Sequence, residues 1–105
     1  MGNEPRHSLK SLKVLKYFIE HSDARISGAE ISKELDIPSG SLYPILFRYE
    51  QAGWLTSEWE EVDPSVVGRP RKRLYRLGKL GQRRATEIIE EVSIESVGRL
   101  RWAPG

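Results

Sequence analysis

Between Ser8 and Ser22 the apolar residues Leu9, Leu12, Leu15, Phe18 and Ile19, with Val14 alongside, recur at steps of three and four, the stripe of one amphipathic helix. After a turn at Ser22-Asp23-Ala24-Arg25, the run Ser27-Gly28-Ala29-Glu30 has the pattern of a capping box, in which the serine hydroxyl and the glutamate carboxylate satisfy each other's backbone N–H groups. A short second helix should follow, turning Ile31 and Leu35 inward and stopping near Asp36-Ile37-Pro38. Ser39 is placed to cap a third helix running to about Ala52, with Gly53 as its left-handed stop and Leu42, Ile45, Leu46 and Tyr49 as its inward stripe. Pro44 lies slightly deeper than the favoured first position, so a local distortion is expected there.

The period then changes. Trp54 to Glu61 and Lys72 to Leu77 are short, rich in aromatic or β-branched residues and partly alternating, so they read as a β-hairpin with a long tip from Val62 to Arg71 and with Trp54 and Trp59 in its core. Beyond Gly78, helical spacing returns at Leu80, Ala85, Ile88, Ile89, Val92 and Ile94 and persists to about Ser96. The fold class expected is mainly α with a small β-hairpin (α+β): a winged helix-turn-helix of three helices and a two-stranded wing, followed by a C-terminal helix. The organisation expected is a disordered tail over residues 1–7, the winged domain over 8–77, the C-terminal helix over 78–97 and a flexible tail over 98–105. That last helix arrives after the core is complete, so its stripe needs another surface. A twin subunit is the economical one, with Leu9, Leu12, Ile88, Ile89 and Val92 as the dimerisation contacts; the alternative is helix one of the same chain.

A chain of 105 residues is one domain by size. With no cysteine it has no disulfide framework, no cysteine zinc site and no thiol nucleophile. No apolar run of membrane length and no secretory leader are visible, so a soluble, cytoplasmic protein is expected and no membrane partner. The net charge of +2 says little, but its distribution says more. From Arg69 to Arg84 every charged side chain is basic, whereas Glu58, Glu60, Glu61 and Asp63 lie just upstream and Glu87, Glu90 and Glu91 just downstream. Beside Gly68 and Pro70, that block reads as a turn presenting cations to a polyanion. Catalysis is not expected: His7 and His21 sit in no nucleophile or metal spacing, and the adjacent pairs Glu60-Glu61 and Glu90-Glu91 diverge on any regular element. No metal or cofactor is expected either.

The residues Ser41-Leu42-Tyr43-Pro44-Ile45-Leu46, Arg48, Glu50 and Gly53, then Arg69-Pro70-Arg71-Lys72 and Tyr75-Arg76-Leu77 with Gly81, resemble the PadR family of bacterial transcriptional regulators. The resemblance covers roughly Leu9 to Ala85 and fits the compact branch of that family, with one helix after the wing. It implies a dimeric winged helix that represses transcription by covering an operator, often released by a small-molecule effector. No ligand site for an effector is assigned to Trp54, Trp59 or Trp102. Phe47, Tyr49 and the run Gly78-Lys79-Leu80 depart from the family pattern.

On that reading double-stranded DNA is the partner. Ser39, Gly40 and Ser41, at the positive end of the third helix, suit phosphate; Tyr43 suits phosphate or a thymine methyl; Pro44 shares that face; and Arg48 can reach phosphate or guanine. On the wing, Arg69 or Arg71 is expected near the minor groove, with Lys72 and Arg73 on phosphates. Two such helices in a homodimer imply a pseudo-palindromic operator. The rival reading is a winged-helix protein-interaction module without sequence-specific DNA binding.

Overall fold

The computed structural model describes residues 7–102, with side chains through residue 93; the tails expected at 1–6 and 103–105 lie outside the described residues. The first element, α1 (Leu9–Glu20), opens on a capping box that the sequence pattern did not single out. The Ser8 hydroxyl accepts from the Ser11 N–H at 3.2 Å and the Ser11 hydroxyl accepts from the Ser8 N–H at 2.7 Å, so a serine does the work usually given to glutamate. After β1 (Ile26–Ser27) comes α2 (Gly28–Leu35), where only half of the expected box forms: Ser27 accepts from Glu30 N–H at 3.1 Å, with no reciprocal carboxylate bond. Asp36 ends α2 in the left-handed region, at φ 53°.

The third helix, α3 (Ser39–Gln51), begins where expected, but Pro38 occupies the cap position, so Ser39 is its first residue and no side chain caps it. It passes through Pro44 without a break. Leu42, Ile45, Leu46 and Tyr49 are all buried, as their spacing predicts, and meet Val14, Leu15 and Phe18 of α1 and Ile31 of α2. Each such side chain stabilises the fold by about 1.5–3 kcal/mol when fully buried, which is why this stripe fixes the orientation of α3. Gly53, at φ 80°, makes the turn that α3 needs before the chain enters the sheet.

The wing consists of β2 (Leu55–Trp59) and β3 (Arg73–Leu77), paired antiparallel with Leu55 opposite Leu77, Ser57 opposite Tyr75 and Trp59 opposite Arg73. Instead of two strands the sheet has three, in the order β1-β3-β2, because Ile26 and Ser27 pair with Tyr75 and Leu74. A two-residue strand is too short to show alternation, so no period in the sequence marks it. The long tip is also not plain loop: α4 (Pro64–Val67) is a helical turn with Asp63 accepting from Ser65 N–H at its start and Gly68 in the left-handed region at its end. Trp54 is buried as expected; Trp59 is not in the hairpin core but 58% exposed, because it lies where the hairpin has outrun the helices beneath it.

The last helix, α5 (Lys79–Trp102), runs past the expected end at residue 97. It first packs on α1 of its own chain, with Ala85 fully buried and Ile88 against the core, so part of the stripe expected to face a twin is already covered. The approach depends on Gly81: a Cβ there would collide with the Trp54 carbonyl group, and the Gly78 N–H donates to that carbonyl oxygen at 2.9 Å. Among the described residues no helix is long and apolar enough to cross a membrane.

Candidate nucleic-acid interface

Burial of one side of α3 dictates what its other side offers. Ser39, Gly40, Tyr43, Pro44, Phe47 and Arg48 are exposed and Ser41 is half-buried. The N–H groups of Ser41 and Leu42 bond to the Pro38 carbonyl oxygen at 2.9 Å each, which leaves the donors of Ser39 and Gly40 at the outer end of an uncapped helix. Tyr43 is held in place rather than loose: its phenol end lies over Gly28, where a Cβ would come within 2.5 to 2.8 Å of it. The glycine at the start of α2 is therefore a seat for an α3 side chain, a role with no motif in the sequence.

Between this seat and the wing lies a cleft of about 630 Å³, lined by Ser27 to Ala29, Tyr43, Trp59, Tyr75 and the run Arg69 to Arg73. The structure thus brings Tyr43 of α3 and all four wing cations singled out in the sequence to one cavity, while Ser39, Gly40, Ser41, Pro44 and Arg48 lie outside its lining. Burial first, then the Glu50 carboxylate and Tyr43, push the Tyr75 phenol above its ordinary range, so the floor of the cleft is a neutral hydroxyl.

The wing cations are not equivalent. Arg69 forms a two-pronged pair with Glu60, at 2.7 and 3.0 Å, and also donates to the Pro70 carbonyl oxygen at 3.1 Å. Its hydrogen bonds hold the Glu60 carboxyl down at about 2 and the arginine itself above its usual value. Glu60 accepts in addition from the Lys72 backbone N–H at 3.2 Å, so this carboxylate ties both arms of the hairpin beyond the last ladder pair. Arg71 gives only Nε, to the Val62 carbonyl oxygen at 2.9 Å, and is exposed; Lys72 is exposed with no side-chain bond among the described residues. Arg73 is built into the sheet face: it donates to Ser57 Oγ at 3.1 Å, lies 3.9 Å from Glu50 and covers Trp59 at 5.0 Å. Ser57 in turn donates to Glu50, which couples the end of α3 to the wing.

The acidic partners Glu50, Ser57 and Glu60 escaped the sequence reading as site residues, although the acidic arm facing the basic arm carried the signal for Glu60. Elsewhere Tyr49 and Trp54 stack with centroids 5.4 Å apart. His7, assigned by sequence to the tail, stacks on both and bonds Tyr49 Oη at 3.1 Å. Of the expected dimerisation residues, Leu9 is 71% and Val92 38% exposed, whereas Leu12, Ile88 and Ile89 are half-buried. Among the described residues no group of acids and histidines could hold a metal ion.

Solved structures carry the same architecture. A PadR family transcriptional regulator from Eggerthella lenta is 25% identical, superposes with a TM-score of 0.67, and is matched over 90% of this chain and 83% of its own. A PadR-like transcriptional regulator from Bacillus cereus (17% identity, TM-score 0.73, 92% and 93% covered) and a protein from Streptococcus mutans (23%, 0.70, 96% and 98%) share the fold. No curated protein sequence matches the chain. The transcriptional regulator PadR-like family matches residues 3–87, which takes in every helix and strand of the winged domain and the first turns of α5, and the chain belongs to that family.

Proposed function

We propose that this regulator is a repressor that binds a pseudo-palindromic operator as a homodimer, with α3 in the major groove and the wing over residues 68–73 on the adjacent backbone and minor groove. The observation that carries the reading is the cleft itself, where an aromatic side chain of α3 and the cations of the wing face one space. A DNA strand leaving the major groove needs neutralising contacts beside the helix that enters it. Arg71 and Lys72 supply them, with guanidinium and ammonium donors not consumed within the wing, and the uncapped N–H groups of Ser39 and Gly40, flanked by Ser41, add a phosphate seat at the other end of α3. Arg48 extends the contact along the groove. Arg69 and Arg73 serve the same surface by stiffening it.

Dimerisation through the exposed side chains Leu9 and Val92, with Leu12, Ile88 and Ile89 beside them, sets two α3 helices in half-sites about one helical turn, roughly 34–36 Å, apart. Such a protein works in the compartment that holds the chromosome, the cytoplasm. The test is fluorescence anisotropy of labelled promoter duplexes across a salt series, beside sedimentation at micromolar concentration. The expected result is binding with a steep salt slope by a dimer. Equal, weak affinity for every duplex would leave the winged-helix protein-interaction reading.

A further inference from the structure

The outward face of α3 is poor in the groups that read bases by hydrogen bonding. From Ser39 to Phe47 it holds no Asn, Gln, Glu, Asp, Lys or Arg, the residue types that pair with base edges two bonds at a time. Tyr43, the one phenol among them, has its hydroxyl end seated at Gly28. What the face does hold is apolar: Phe47 is 60% exposed and stands one helical turn from both Tyr43 and Pro44, themselves exposed, so the three form one patch. Phe47 has no ring partner among the described residues. The inward stripe of Leu42, Ile45, Leu46 and Tyr49 is fixed in the core, so the helix cannot roll to hide it.

On the edges of the four bases in the major groove, one group is apolar: the C5-methyl of thymine. We infer that Phe47 is a specificity-determining residue that selects a thymine in each half-site by packing its ring on that methyl. The inference rests on α3 entering the major groove. Charge favours this occupant over an apolar protein surface, because the patch is bounded by Arg48 at one end and, through Tyr43, by the cleft that carries Arg71 and Lys72. A polyanion whose groove edge carries methyl groups matches both features; a hydrophobic partner matches one.

The test begins by selecting duplexes from a random pool with the full chain, then replaces each thymine of the selected duplex by deoxyuridine, which removes the methyl and keeps every hydrogen-bonding group. Wild type should lose about fourfold in affinity at one thymine per half-site, the value of one buried methyl-sized group, and Phe47→Ala should lose that methyl effect while melting like wild type. Indifference of wild type to deoxyuridine at every thymine, or a methyl effect that survives in Phe47→Ala, overturns the inference while leaving the DNA-binding reading intact. Loss of self-association in Phe47→Ala with the methyl effect unchanged assigns the ring to a protein contact and also overturns it. Failure to enrich any duplex removes the DNA-binding reading, and this inference with it.

Discussion

Helix α3 and the wing face the same cleft, yet they are held by opposite means. Four apolar side chains of α3 are buried to 3% exposure or less, so the helix is positioned by the core and its outward residues are what remains after packing is satisfied. The wing beyond Ser57 has almost no core: Trp59, Val66 and Val67 are exposed, and hydrogen bonds among Glu60, Arg69, Arg71 and Val62 hold its shape. Position in α3 is bought with apolar burial, and position in the wing with ion pairs that salt and substitution can alter. Damage to the one should therefore appear as loss of fold, and damage to the other as loss of affinity.

The widest separation comes from Leu46→Ala. Leu46 has no exposed surface, and truncating such a leucine leaves a cavity that costs about 2–5 kcal/mol. Urea denaturation should show a loss in that range, a large fraction of the stability of a small domain. The double change Arg71→Ala with Lys72→Ala should leave the urea midpoint close to that of wild type, since neither side chain is buried, but flatten the salt dependence of DNA affinity by about two units of slope, one per lost phosphate contact. If the wing pair shifted the midpoint as far as Leu46→Ala does, the contrast between core-held helix and polar-held wing would be wrong.

A smaller effect separates the two kinds of arginine inside the wing. Glu60→Gln keeps the shape of the side chain and removes the charge that holds Arg69, so the guanidinium becomes available to phosphate. The expected result is a DNA salt slope steeper by about one unit than that of wild type. A slope equal to or flatter than that of wild type would mean that Arg69 touches DNA through the intact pair, or that the wing needs the pair to stand.

These contrasts also explain what could be read from the sequence. The inward stripe of α3, the hairpin and the order of elements were legible because burial imposes a period, 3.6 on helices and 2 on strands. Strand β1 was not, since Ile26 and Ser27 are too few to carry one. Trp59 misled for a related reason: an aromatic in an alternating strand reads as core, but whether anything lies beneath it depends on how far the hairpin overhangs the helices. The cation block marked the wing, yet which cation is spent internally is a matter of cross-strand geometry. Arg69 and Arg71 are two residues apart and chemically alike, and only the fold sets one against Glu60 and the other against a carbonyl oxygen. Gly28 gave no signal because its partner, Tyr43, lies on another helix.

The smallest expected effect is an absence of change that the Glu60 pair requires. Hydrogen bonds from Arg69, and after them from the Lys72 backbone, lower the Glu60 carboxyl from 4.5 to about 2. A carboxyl depressed on folding stabilises its surroundings fully above its unfolded value and loses that contribution only as pH falls through the folded one. Between pH 7 and pH 5 the pair therefore stays ionised and Arg69 stays held. The DNA salt slope of wild type, corrected for histidine titration by measuring Glu60→Gln in parallel, should be the same at both pH values and remain shallower than that of the variant throughout. A wild-type slope that rose toward that of Glu60→Gln already at pH 5 would show that the carboxylate takes up a proton in its ordinary range, and that the wing is held by something other than this pair.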